Sequence, residues 1–216
     1  MDCRLYITIA SLLTLVIAGC GRTDSTSRGS AATQPTLTPS QTIQHMHDLR
    51  FARQYGGLLH HIDPSQASPV VDFLLAMDAL LAANSEVQTA LGRYAPDVPA
   101  ADFDLSALQH NQGLFSPTIN VVTESVEHPV ASVTIQIAGR VPLETVPMRR
   151  IEDRWVYWPE GEVGTVPRHL HNVARAMRKV ARAIEHGATS EEQVREQFRL
   201  RISPVLRTLQ SAPPPP

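Results

Sequence analysis

Residues 118–158 read TINVVTESVEHPVASVTIQIAGRVPLETVPMRRIEDRWVYW. Within them Val133, Ile135 and Ile137 alternate with Ser132, Thr134 and Gln136, the period-two pattern of a strand that buries one face. The stretch divides into four predicted strands, Thr118–Val126, Pro129–Ala138, Leu143–Ile151 and Arg154–Trp158. Their separators, Glu127-His128, Gly139-Arg140-Val141-Pro142 and Glu152-Asp153, are short enough to join antiparallel neighbours, so a four-stranded meander is expected. Pro147 has no N–H for a ladder, which predicts that the third strand lies at an edge or carries a bulge.

On the N-terminal side the period changes to that of a helix. Ser40–His61 spaces Ile43, Met46, Leu49 or Arg50, and Ala52 or Arg53 along one face, with Asp63-Pro64 as the stop. Ser68–Leu91 is the stronger helix, with an apolar stripe through Val70, Val71, Phe73, Leu74, Met77, Leu80, Leu81, Val87 and Leu91, and Pro69 in its first turn. A proline-broken connection, Tyr94–Ala101, leads to a short predicted helix at Leu105–His110. On the C-terminal side, Arg168–His186 is amphipathic, and Thr189-Ser190-Glu191-Glu192 reads as the capping box of a last helix that Pro204 ends. Gly187-Ala188 joins these two helices as a hairpin. Helices, then strands, then helices define the α+β class: N-terminal helices on an antiparallel meander, followed by a C-terminal helical hairpin.

The chain has 216 residues, 43% hydrophobic and 19% charged, with a net charge of −2 and a calculated pI near 6.5. That length suits one packed domain with appendages. Its balance of charge excludes the strongly basic domain of a general nucleic-acid binder. Two cysteines, Cys3 and Cys20, exclude a disulfide-rich scaffold and an all-cysteine zinc site.

Leu5–Ala18 is an apolar run too short to span a bilayer comfortably and suits a signal-peptide core. It ends in Ile17-Ala18-Gly19-Cys20, which resembles the lipobox of bacterial lipoproteins. The resemblance implies that residues 1–19 are removed, that Cys20 is acylated, and that Cys3 leaves with the signal so that no disulfide remains. Several acyl chains on one cysteine hold a protein to a bilayer durably, at about 0.8 kcal/mol per buried methylene. Gly21 follows the cysteine where an aspartate would mark retention, which in such lipoproteins implies an outer-membrane anchor facing the periplasm. The rest of 20–40 is mostly Ser, Thr, Gly, Ala, Pro and Gln with almost no apolar side chains, a linker that spans on the order of 25 Å as a flexible chain. Residues 41–211 form the expected domain, with helices and sheet in 41–159 and C-terminal helices in 160–211, and 212–216 is a proline tail.

The final hairpin, Val146-Pro147-Met148-Arg149-Arg150-Ile151-Glu152-Asp153-Arg154-Trp155-Val156-Tyr157, places a charged turn before an apolar Trp strand. With two helices ahead of it, residues 41–159 resemble the nuclear-transport-factor-2-like fold of small lipoproteins. Enzymes of that fold use an Asp/His pair in a cone-shaped pocket, and no such pair can be placed here. The C-terminal helices extend beyond its usual end.

Among side chains with chemical potential, His171, Arg175, Arg178 and Arg182 share the face opposite Leu170, Val173, Met177, Val180 and Ile184. They form a candidate contact with an anionic surface or an acidic envelope protein, and a simply solvated face is the plainer reading of the same pattern. Trp155 and Trp158 face opposite sides of a strand, so one is expected in the core and the other either exposed for binding or covered by the C-terminal helices. The histidine clusters His45/His47, His60/His61 and His169/His171 have spacings that point their rings apart on a helix, and no metal or other cofactor is expected. No nucleophile elbow, phosphate loop or dinucleotide fingerprint occurs. Asp102, Asp104, Glu124 and Glu144 are carboxylates that folding alone could gather, each more simply a cap or surface residue. The expectation is a membrane-anchored, non-catalytic binding module, with a small-ligand or hydrolytic pocket between helices and sheet as the alternative.

Overall fold

The alternation in residues 118–158 becomes an antiparallel meander of β1 Ile119–Glu127, β2 Val130–Ile137, β3 Glu144–Ile151 and β4 Arg154–Tyr157, in the order β1-β2-β3-β4. The structure, a computed structural model, describes residues 36–138, 141, 143–159 and 164–205. The lipobox, most of the linker and the proline tail lie outside the described residues. Register follows the hydrophobic pattern: Ala131, Val133 and Ile135 of β2 stand opposite Met148, Val146 and Glu144 of β3. Ala131, Val133, Ile135, Ile137, Val146 and Met148 are buried, while Ser132, Thr134 and Gln136 on the other face stay partly in water. A shift of register between Val121 and Thr123 leaves Val122 exposed on β1.

Pro147 corrects one expectation, because β3 is an interior strand. The proline is tolerated because β4 is short and its ladder ends at Tyr157 opposite Met148. Pro147 O accepts from Trp158 N at 3.0 Å, on the β4 side. In an antiparallel strand a residue's N–H and C=O point the same way, so the missing donor falls where the ladder has already run out.

The predicted first helix is divided. Helix α1 spans Pro39–Phe51, with Thr38 and Gln41 forming a complete capping box. It ends in a Schellman arrangement in which Gln54 N donates to Leu49 O (2.8 Å) and Arg53 N to Arg50 O (3.1 Å). This requires a left-handed residue just past the helix, and Arg53 takes that role with φ of 56°. A single turn, α2 Tyr55–Leu58, and a 3₁₀ turn at Leu59–His61 follow.

Helix α3, Ala67–Tyr94, is 28 residues and so about 42 Å long. Its first half packs Val70, Val71 and Leu74 with Ile43, Met46 and Leu58 against the inner sheet face. Its second half packs Leu80, Ala83, Val87 and Leu91 against Val173, Met177, Val180 and Ile184 of α4 Val166–Glu185 and Val194 of α5 Glu191–Arg201. One helix therefore spans two apolar cores. Between α3 and β1 lie 3₁₀ turns at Ala100–Phe103, Ser106–Asn111 and Gly113–Phe115, so the short helix expected at Leu105–His110 is of the tighter kind. Helix α5 starts with Ser190 and Gln193 as its capping box.

Candidate functional site

Helix α4 presents the basic face. Arg168, His171, Arg175, Lys179 and Arg182 are exposed and recur every three or four residues, with Glu185 the helix's sole carboxylate. Among the described residues, Arg175, Lys179 and Arg182 have no ion-pair partner. Arg178, expected in this row, is half-buried and turned toward α3, donating to Glu86 at 3.2 Å and Ala79 O at 3.5 Å. Lys179, one residue on, occupies the outward position. From Val173 to Ile184 the apolar side of α4 is used by the second core, with Val180 and Ile184 at 0% exposure.

The cations continue along the groove between α4 and α5. Lys179, Arg182 and His186 line it from one side, facing Arg195, Arg199 and Arg201 on the other. The α5 charges are largely neutralised in place: Arg195 donates to Glu191 (2.8 Å) and Asp102 (2.6 Å), and Arg199 to Glu196 (2.7 Å). Hydrogen bonds to these carboxylates raise the pKa of both arginines, and that of Glu196 is lowered by Arg199 in turn. The uncompensated positive charge of the groove thus belongs to α4 and to Arg201, which among the described residues donates only to the Gln197 amide oxygen at 2.9 Å.

A second polar centre lies where α1 ends against α3. Arg50, 5% exposed, donates from Nη1 and Nη2 to the two carboxylate oxygens of Asp78 at 3.0 and 2.5 Å. Arg50 Nη1 also donates to Tyr55 Oη at 2.7 Å, Tyr55 donates its hydroxyl to Asp78, and Gln112 Oε1 lies 3.4 Å from Arg50 Nη2. Burial, followed by the hydrogen bond to Asp78, pushes the Tyr55 pKa up to about 12. Arg50 Nε is buried without a hydrogen-bond partner. The group borders a cavity of about 300 Å³ lined by α1, α3 and the segment 109–117, without a residue from the sheet. This cavity is not the expected pocket between helices and sheet; there the described residues pack the first core. The signal for this centre lay in Arg50 and Asp78, opposite charges falling on otherwise apolar helical positions.

The remaining candidates are dispersed. Asp102 pairs with Arg195; Asp104 accepts from Ser106 and Asn84, bonds that lower its pKa; Glu124 accepts from Ser40 N at 2.9 Å, capping α1 from the sheet. Glu144 lies beside Gly113, 3.5 Å from where that residue's Cβ would sit. Trp155 is buried with its ring stacked on His128 at 5.5 Å, and Trp158 is the exposed one, at 45%, under the Arg149 guanidinium. His45 and His61, from different elements, meet edge-to-face at 4.9 Å, a contact that local spacing could not show. Burial, then the neighbouring His45, His60 and Arg154, lower the His61 pKa to about 4. Among the described residues there is no group of three metal-ligating side chains, and no helix is long and apolar enough to cross a membrane. Compared with family models, curated proteins and solved structures, the chain finds no match.

Proposed function

We propose that the chain is a cell-envelope lipoprotein, anchored through acylated Cys20, whose domain is a non-catalytic module that contacts an anionic surface through α4. The observation that carries the contact is the exposed row Arg168, His171, Arg175, Lys179 and Arg182, in which the cations at 175, 179 and 182 lack carboxylate partners among the described residues. Near a negatively charged membrane each such cation contributes about 1 kcal/mol. The sequence Ile17-Ala18-Gly19-Cys20 and the polar linker behind it support the anchor and put the domain within reach of that surface. Metabolic labelling with an alkynyl fatty acid in a bacterial host tests the anchor, since label should enter the chain and be lost in Cys20→Ser. Sedimentation of the unlipidated unit 36–216 with phosphatidylglycerol vesicles, against phosphatidylcholine vesicles, tests the contact. Equal, salt-insensitive binding to both would refute it.

A further inference from the structure

The Schellman turn after α1 has an arginine where glycine is the ordinary occupant. Arg53 stands at φ of 56°, a left-handed conformation that disfavours residues with a Cβ. Backbone strain of this kind persists where the surrounding structure holds it, and it marks a position whose side chain is worth testing for function. Arg53 is exposed at the rim of the cavity bordered by Arg50 and Asp78, and among the described residues its side chain has no hydrogen-bond or ion-pair partner.

The cavity itself is selective in its chemistry. Phe51, Leu81, Ala82, Phe115 and Pro117 supply apolar walls, and Gln109 and Gln112 supply amides. The Phe51 ring also packs against the His47 ring, with centroids 4.6 Å apart. Asp78 is already satisfied by Arg50 and Tyr55, so it does not consume the charge of Arg53. Arg50 also borders the cavity, with its terminal nitrogens engaged by Asp78. Two arginines against one aspartate leave a single positive charge for a ligand to balance. A volume of about 300 Å³ is at the small end of ligand sites, which run from roughly 300 Å³ upward.

We propose that this cavity binds a small organic monoanion with a flat apolar body, an aromatic carboxylate in class, whose carboxylate meets Arg53 while its ring lies against Phe51 and Leu81. The site is independent of the α4 face and of the lipid anchor.

The test uses the full chain in a zwitterionic detergent, benzoate as the probe and benzamide as its neutral counterpart, followed by ligand-observed NMR titration. Benzoate should saturate and benzamide should bind about tenfold more weakly or worse. Arg53→Gly separates function from folding, because glycine relaxes the left-handed turn. The variant should melt at a higher temperature than the parent while its affinity for benzoate falls about tenfold, or about 1.4 kcal/mol. Arg53→Gln should lose affinity equally without the rise in melting temperature. Absence of saturable benzoate binding, equal binding of benzamide, or undiminished binding by the well-folded glycine variant would each overturn the proposal.

Discussion

Arg50 grips Asp78 through both terminal guanidinium nitrogens, at 3.0 and 2.5 Å, and the two partners are unequally buried: their side chains are 6% and 27% exposed. The inequality decides which deletion is worse. Removing one member of a buried pair leaves the other's charge uncompensated, typically about 3–5 kcal/mol. Asp78→Ala strands the more buried cation and should cost toward the upper end of that range. Arg50→Met leaves a carboxylate that still accepts from Tyr55 and reaches water, and should cost less. Urea denaturation of both variants checks the order.

Asp63 and Arg149 show the reverse inequality, with the carboxylate 1% and the guanidinium 39% exposed. Arg149→Met should therefore destabilise more than Asp63→Asn, by about 1–2 kcal/mol, since it leaves the buried member unpaired. Burial opposes ionisation of Asp63, but hydrogen bonds from the Ser65 hydroxyl and backbone, together with Arg149, outweigh it and hold the pKa below its usual 3.8. The folded state thus binds a proton less readily than the unfolded one. Stability from this carboxylate is present above about pH 4 and is lost as pH falls through the lowered value. Thermal melts between pH 5 and 2 should show a smaller loss for Asp63→Asn.

His61 gives a separate acid dependence. Its pKa lies near 4 in the fold against an ordinary 6.5, so the unfolded chain takes up the proton first as pH falls. Stability should decline between about pH 6.5 and 4 and be indifferent to this group above that window. Partial exposure reduces the effect to about 1–2 kcal/mol. Groups facing His61 are His45, His60 and Arg154, and His61→Gln should flatten this part of the profile.

On α4, changing Arg175, Lys179 and Arg182 together to glutamine should weaken binding to anionic vesicles by about 3 kcal/mol, on the order of a hundredfold. The same triple change should leave the melting temperature nearly constant, because all three side chains are exposed. Arg178→Gln should behave oppositely in kind, acting on the contact with Glu86 and Ala79 more than on the vesicles. Vesicle flotation alongside calorimetry distinguishes them.

The two cores predict shared cooperativity. Leu74 lies in the first and Met177 in the second, both at 0% exposure, and α3 runs through both. Either residue changed to alanine should cost about 2–5 kcal/mol. Both variants should still unfold in one transition monitored by hydrogen exchange, since α3 is a continuous helix shared by both cores.

Local pattern alone determined the elements with strong periodicity. The alternation around Val133 produced the meander and its register, because a slip of one residue would turn the whole apolar set into water. The stripes of Ser68–Leu91 and Arg168–His186 likewise foretold α3 and α4, and the basic side of α4 was visible as the complement of its apolar side. What tertiary structure decided were the outcomes that depend on distant neighbours. Pro147 sits in an interior strand because β4 stops short beside it; Arg178 leaves the basic row because Glu86 of α3 is within reach; α1 ends at Phe51 in a turn that places Arg53 in a left-handed conformation. The pairing of Arg50 with Asp78, 28 positions apart, and the cavity beside it arise only when α1 crosses α3. Periodicity encodes which face of an element is buried, whereas the choice of partner on that face is made by packing between elements.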